Sequence, residues 1–228
     1  GESGCGKSTL LKDMFGIVKP PLQLMDGQVT YEYQERKVDL FELSDDDYRG
    51  IRWKELTYIP QGSMSVLNPL RRVRKTFWDF MDTHRPHTSK KEFEALVTTH
   101  LGHLGLPYEV LDAFPHQLSG GMRQRVTMAL ATILKPRVIF ADEPTTALDV
   151  IVQSGVMDLL GKIQEEEKNS LVLVTHDMAI HANLADRIAI MYAGQIIEEA
   201  PTKEVFENPK HPYTYYLINS LPRIGDKS

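Results

Sequence analysis

The first eight residues, GESGCGKS, restrict the possible folds of this chain more than any other feature. They match the pattern G-x-x-x-x-G-K-S/T, in which backbone N–H groups wrap around phosphate, the lysine reaches the β- and γ-phosphates and the serine binds Mg²⁺. Such a loop normally joins a buried strand to a helix, so we expect an α/β fold in which Lys7 and Ser8 play these parts. The other residues expected to surround the phosphates are Gly1, Glu2, Ser3, Gly4, Cys5 and Gly6. A glycine-rich helix cap is the alternative for this match alone, so the downstream motifs have to decide.

The bulk composition favours one folded domain, with room for a smaller subdomain. The 228 residues are 42% hydrophobic and 25% charged, and the formal charge of −5 argues against a protein that grips nucleic acid through its phosphates. The single cysteine, Cys5, excludes an intrachain disulfide and fits a reducing compartment such as the cytosol. The sequence contains no run of roughly 18 apolar residues that could cross a bilayer, so membrane association is expected through a partner.

Hydrophobic patterns place the main elements along the chain. Residues 8–15 are expected to form a helix, and residues 56–61 a short strand. Helical spacing between about Pro69 and Pro115 predicts a helical subdomain. The apolar runs in VIFADEP and SLVLVTHD are typical of parallel strands buried on both faces, with functional groups at their carboxyl ends. A helix is expected from Asp149 to Glu166, and a hairpin is expected to turn near Ala193-Gly194.

Two acidic residues follow the first of these apolar strands. Val138 to Ala141 form the strand, and Asp142 and Glu143 come next. In this arrangement the first acid can hold Mg²⁺ and the second can polarise an attacking water. Solvated acids at a strand end are the plain alternative. Asp149 follows in DEPTTALD, where it is expected to cap a helix.

A second helix start carries a serine and glycines. LSGGMRQR places Ser119, Gly120 and Gly121 where a helix begins, which makes a second anion site. One γ-phosphate could be gripped by both helix starts only if two subunits face each other. An ordinary serine cap with glycines for the turn is the alternative.

The motifs GESGCGKST, Gln61, LSGGMRQR, VIFADEPTTALD and VTHD occur in the order found in ABC-transporter ATPase domains. The resemblance covers essentially the whole chain, and LSGG about twenty residues before DEPT is its most specific part. It implies an α/β fold of the P-loop NTPase class, an ABC ATPase with a mostly parallel sheet core and a helical signature subdomain. The implied domain is 1–228, incomplete at its N-terminus, with a helical subdomain at 69–125.

The resemblance also implies residue roles. Lys7, Ser8 and Thr9 would contact the phosphates and Mg²⁺ of ATP, Gln61 would contact Mg²⁺ and water, and Glu143 would be the general base. His176 would hold the γ-phosphate and the water geometry, although a histidine after a strand is more often structural. Ser119 and Gly121 would act on ATP bound to the opposite subunit, with Asp149 across that interface.

Further segments resemble the oligopeptide, dipeptide and nickel importer branch. They are PQGSMSVLNPLRRV, SGGMRQRVTMALA and the tail ENPKHPYTYYLINSLP within 200–228. This resemblance implies a second ATPase subunit, two transmembrane permeases, an extracytoplasmic solute-binding protein and a peripheral location on the cytoplasmic face of the membrane. Permease contacts are expected near Ser63 to Arg72, where a solvated basic face is the alternative. No adenine-stacking residue can be assigned, and the cysteine-rich iron–sulfur segment of many relatives is not present in this sequence.

Three other functions remain as alternatives at the level of sequence. The first is an ATPase of a phosphonate-metabolism complex or another soluble ABC protein, which would keep the same motifs. The second is a DNA-repair or translation-linked ABC ATPase, whose coiled-coil or zinc insertion and tandem second cassette are not seen here. The third is a P-loop kinase or GTPase, which would not explain the Ser-Gly-Gly helix start.

Overall fold

The structure is a computed structural model that describes residues 1–62, 66–146 and 149–220, apart from the side chains of Val150 and Ile151. Its strands are β1 (Thr30–Tyr33), β2 (Arg36–Asp39), β3 (Leu56–Ile59), β4 (Val138–Asp142), β5 (Ser170–Val174), β6 (Arg187–Tyr192) and β7 (Gln195–Pro201). Its helices are α1 (Lys7–Met14), α2 (Asp45–Ile51), α3 (Val73–His84), α4 (Lys90–His103), α5 (Gly120–Thr132), α6 (Val150–Glu167), α7 (Met178–Leu184), α8 (Thr202–Glu207) and α9 (Pro212–Asn219).

The central sheet brings two of the predicted strands side by side. It has the order β3-β4-β5, and β3 runs parallel to β4 with Leu56 opposite Val138 and Ile59 opposite Ala141. The carboxyl ends of β3 and β4 therefore lie at the same edge of the sheet. The predicted α/β fold with parallel strands is confirmed.

The two strands that were expected to be buried on both faces, β4 and β5, differ in how far they are buried. Four of the five residues of β4 are buried, as predicted. In β5 residues 171–174 are only half-buried, so the expectation of full burial is wrong there. Within the described residues β5 pairs with β4 alone, which leaves its residues less covered than those of β4.

The described part of the chain forms two compact units. One consists of residues 1–12 together with the described part of 174–228, and its apolar core is made by Met178, Ile188, Ile190 and Val205. The other consists of residues 13–173 in their described ranges and contains the three-stranded sheet and helices α2 to α6. Helices α3, α4 and α5 belong to this same unit, so a separate helical subdomain at 69–125 stays a prediction.

Helix α4 shows how local signals and packing agree in this second unit. Ser89 caps the helix by accepting the N–H of Glu92 at 3.2 Å. Phe93, Val97 and Leu101 follow at helical spacing and are no more than 1% exposed. Their burial orients the helix, because this apolar stripe must face the interior.

The other predicted elements agree closely with the structure. The helix expected from Ser8 begins one residue earlier, at Lys7, and the helix expected from Asp149 begins at Val150 with Asp149 as its cap. The hairpin of β6 and β7 turns at Ala193 and Gly194, both of which have positive φ angles. Short 3₁₀ turns follow α4 at Tyr108–Asp112 and Pro115–Gln117.

Candidate functional site

The phosphate loop folds around the ammonium group of its own lysine. Lys7 Nζ donates to the carbonyl oxygens of Gly1 at 3.0 Å and Glu2 at 2.8 Å, and it lies 3.6 Å from Cys5 Sγ. Gly4 and Gly6 have φ angles of +82° and +99°, a region in which a side chain would be strained. The loop leads directly into α1, whose first backbone N–H groups have no partner within the helix and favour an anion.

The last residue of β4, Asp142, is buried and accepts a hydrogen bond from the neighbouring strand. Asp142 is 1% exposed, and Tyr58 of β3 donates its hydroxyl to Asp142 Oδ2 at 2.9 Å. Burial and this hydrogen bond raise the pKa of Tyr58 above its ordinary value, so the tyrosine stays a donor over the physiological range. The bond fixes the direction of the Asp142 carboxylate at the edge of the sheet.

Glu143 has a backbone conformation that glutamate rarely adopts. Its φ angle is +42°, in the left-handed region, directly after the end of β4. Such a conformation costs on the order of 1–3 kcal/mol for a residue with a side chain and is found most often at functional sites. The extended backbone of β4 therefore ends before Glu143, and the alternation of side chains between the two faces of the sheet ends with it.

Two neighbours donate hydrogen bonds to the Glu143 carboxylate. Gln61, two residues after β3, donates from Nε2 to Glu143 Oε2 at 3.2 Å, and Thr146 donates its hydroxyl to the same oxygen at 2.9 Å. The structure thus brings Gln61 to the Asp142–Glu143 pair, although Gln61 and Glu143 are 82 positions apart in the sequence. Sequence reasoning missed Tyr58 and Thr146, although Thr146 stands only three residues after Glu143 in DEPTT.

The predicted serine and aspartate helix starts are both real and lie close together. Ser119 Oγ accepts the N–H of Met122 at 3.2 Å, and Asp149 Oδ1 accepts the N–H of Val152 at 2.9 Å. A Cβ added at Gly121 would lie 2.8 Å from Val152 Cγ1. The glycine therefore lets the first turn of α5 approach α6, which is a structural reason for this residue that is independent of any ligand.

Buried polar contacts tie α5 and α6 to the loop that follows Glu143. Gln124, in the second turn of α5 and 2% exposed, donates to the carbonyl oxygen of Pro144. Gln153 of α6 donates to the hydroxyl of Thr145 at 3.1 Å. The LSGGMRQR helix is thereby connected to the residue next to Glu143, a link that spacing alone did not indicate.

Two histidines near the end of β5 have different environments. His176 is exposed and precedes Asp177, which caps α7 by accepting the N–H of Ala179 at 2.8 Å. His181 lies on α7 with its Nε2 3.3 Å from the carbonyl oxygen of Thr175, and burial lowers its pKa. His176 is therefore the more exposed of the two histidines.

The site residues are divided between the two compact units. Gly1 to Thr9 and His176 lie in the first, whereas Gln61, Asp142, Glu143, Ser119 and Asp149 lie in the second. Within 1–62, 66–146 and 149–220, no group of three or more His, Cys, Asp or Glu side chains is arranged to hold a metal ion. A Mg²⁺ ion that is bound mainly through nucleotide phosphates and one or two protein oxygens does not require such a group. Permease contacts were predicted near Ser63 to Arg72, and residues 63–65 of that segment lie outside the described residues.

None of the helices in the described ranges combines the length and the apolar composition that crossing a bilayer requires.

Comparison with known proteins identifies two family models along the chain. Residues 1–146 match the model described as ABC transporter, and residues 197–228 match the model described as oligopeptide/dipeptide transporter, C-terminal region. The second match includes the HPYT segment that the sequence had already distinguished.

Curated relatives and solved structures agree with these matches. The dipeptide transport ATP-binding protein DppD of Caldanaerobacter subterraneus is 40% identical over 99% of this chain and 68% of its own length. The oligopeptide transport ATP-binding protein OppD of Lactococcus lactis is 39% identical over 97% of this chain and 65% of its own length. The chain thus spans about two thirds of these relatives.

Two solved structures of the ATP-binding cassette MJ0796 have the same fold. Its dimeric structure has a TM-score of 0.74 and 30% identity, and covers 89% of this chain and 83% of that protein. A dimeric post-hydrolysis state bound to ADP and Pi has a TM-score of 0.72 and 29% identity with the same coverage.

Proposed function

The chain belongs to the ABC transporter family of ATPases, and we propose that it binds and hydrolyses ATP to power the import of peptides or similar small solutes through a membrane transporter. The observation that carries the hydrolytic part is the Gln61–Glu143 hydrogen bond of 3.2 Å at the carboxyl ends of two parallel strands. The cargo class is supported by the match of residues 197–228 and by the peptide transport proteins named above.

Glu143 is the general base of the proposed mechanism. Gln61 and Thr146 both donate to its Oε2, so the carboxylate is held in one orientation before a substrate arrives. Phosphoryl transfer depends chiefly on positioning and charge neutralisation, and a carboxylate fixed in this way can accept a proton from an attacking water. The left-handed φ angle of Glu143 supports the same role, because the strain is retained at the residue that would do the chemistry.

The phosphate-binding residues have complementary roles. Lys7 would reach the β- and γ-phosphates, while backbone N–H groups of the phosphate loop and of the first turn of α1 would surround them. Asp142, Ser8 and Gln61 would supply oxygen ligands for Mg²⁺. Buried Asp142 suits a hard divalent cation, which would neutralise phosphate charge. His176 would hold the γ-phosphate and the water.

A second ATPase subunit is part of the proposal. Ser119, Gly120 and Gly121 form a helix start suited to an anion, and with Asp149 they would act on ATP bound to the opposite subunit. Dimers of the related cassette MJ0796 support this arrangement. The remaining proposed partners are two transmembrane permeases and, indirectly, an extracytoplasmic solute-binding protein, which would place the subunit peripherally on the cytoplasmic face of the cell membrane.

The test is Glu143→Gln in the intact protein. We expect ATP binding and nucleotide-driven pairing to persist while turnover stops, because an amide cannot accept the proton from water. ATP affinity, subunit association and phosphate release would be measured on the same preparation. Glu166→Gln, an exposed substitution near the end of α6, is the matched control and should turn over normally. Full phosphate release by Glu143→Gln would refute the general-base role.

A further inference from the structure

The HPYT segment near the start of α9 is held by a buried carboxylate on β7. Glu198, 9% exposed, accepts the backbone N–H groups of Lys210 at 2.7 Å and His211 at 3.0 Å. Burial alone would raise the pKa of Glu198, but these hydrogen bonds more than offset that effect and hold the pKa below its usual range. The chain is thus fixed just before α9 begins.

The next residues set the direction of Tyr213. His211 caps α9, since its Nδ1 accepts the N–H of Tyr213 at 3.1 Å. Pro212 occupies the first helical position, where its restricted φ suits the helix. The Tyr213 ring packs against Tyr192 of β6 with centroids 4.8 Å apart. The helix cap, the proline and the contact between the two rings together restrict the positions that the tyrosine hydroxyl can take.

That hydroxyl reaches the phosphate loop. Tyr213 Oη accepts the backbone N–H of Glu2 at 3.1 Å. The β6–β7 turn makes a second contact, because Gly194 donates its N–H to the carbonyl oxygen of Cys5 at 3.1 Å. All of these residues lie in the compact unit formed by 1–12 and the described part of 174–228.

The peptide group held by Tyr213 is one that also holds Lys7. The N–H of Glu2 and the C=O of Gly1 belong to one planar peptide unit. Tyr213 binds the N–H side of that unit, and Lys7 Nζ donates to its carbonyl oxygen at 3.0 Å. A rotation of the peptide would move both contacts together, so the tyrosine hydroxyl helps to set the position of the lysine ammonium.

We propose that Tyr213 is a positioning residue for nucleotide binding, acting through the Gly1–Glu2 peptide to hold the phosphate loop and Lys7 in a binding-competent arrangement. This inference rests on the proposed role of the loop in binding ATP. It gives the C-terminal HPYT segment a function in the affinity for nucleotide, and no contact between Tyr213 and the nucleotide is required.

The test is Tyr213→Phe in the intact protein, which removes the hydroxyl and keeps the ring against Tyr192. The loss of one hydrogen bond should raise the dissociation constant for Mg-ADP, measured by titration calorimetry, about two- to tenfold. Turnover at saturating ATP should change less than twofold, since Tyr213 touches no reacting atom. Tyr215→Phe on the same helix, at an exposed position, is the matched control and should leave the dissociation constant unchanged.

The variant Lys7→Ala distinguishes a failure of this inference from a failure of the proposed function. Weakened Mg-ADP binding in Lys7→Ala with unchanged binding in Tyr213→Phe would overturn the inference and leave the proposed function standing. Unchanged binding in both variants would remove the nucleotide-binding role of the loop and the inference with it. A fall in turnover of Tyr213→Phe at an unchanged dissociation constant would also overturn the inference, because that result would place the effect of the hydroxyl in the chemical step rather than in nucleotide binding.

Discussion

Gly121→Ala should weaken the packing of α5 against α6, and Val152→Ala should relieve the added strain. The new Cβ would lie 2.8 Å from Val152 Cγ1, well inside the carbon–carbon optimum of about 3.5–4.0 Å. Valine in a helix has one strongly preferred rotamer, so Cγ1 cannot rotate away without cost. Overpacking of this kind costs about 1–3 kcal/mol, and replacing glycine by alanine in a helix returns at most about 1 kcal/mol. We expect a net loss of about 1 kcal/mol in the free energy of unfolding.

Urea denaturation of the two single variants and the double variant, without nucleotide, measures this effect. The coupling free energy between positions 121 and 152 should be about 1–3 kcal/mol, because the strain exists only when both side chains are present. Gly155→Ala on α6 is the control, since its added Cβ would meet Arg125 at an ordinary 3.8 Å. Additivity of the single variants within about 0.5 kcal/mol would refute the packing role of Gly121.

Two further predictions concern a hydrogen bond and a half-buried histidine. Thr146→Val should lower turnover about tenfold at unchanged ATP affinity, because it removes a hydrogen-bond donor to the Glu143 carboxylate. Thr146→Ser keeps a hydroxyl and should retain activity. Equal rates for the two variants in a phosphate-release assay would contradict the reasoning. Burial lowers the pKa of His100 from 6.5 to about 4, so between these pH values the unfolded chain binds a proton that the folded chain does not. The free energy of unfolding should therefore fall as the pH drops through that window, and His100→Gln should flatten the profile while the exposed His103→Gln does not.

Local signals made the helix starts predictable from the sequence. Ser119 and Asp149 were recognised as caps because a short polar side chain before an apolar periodic run satisfies orphan N–H groups within a few residues. The same signal exists at α2, where Ser44 precedes three aspartates and accepts the N–H of Asp47. That helix could have been predicted by the same reasoning.

Contacts between distant residues could not be predicted in this way. Tyr58 and Asp142 are 84 positions apart, and their hydrogen bond depends on the register of β3 against β4. The positive φ angle of Glu143 also has no local sequence signal, because glutamate is not a residue that favours that region. The motifs indicated which residues take part in the proposed chemistry, and the tertiary structure determined which neighbouring groups hold those residues in place.

The contact between Glu2 and Tyr213 joins residues 211 positions apart, which has a consequence for synthesis on the ribosome. Contacts of such high sequence separation form late, because a long loop must close before they are gained. The phosphate loop is translated before Gly194 and Tyr213, which are synthesised only after residues 13–173 of the second unit. A nascent chain that stalls before residue 194 carries Lys7 without either hydrogen bond, so the phosphate loop gains these contacts only after the whole second unit has been synthesised.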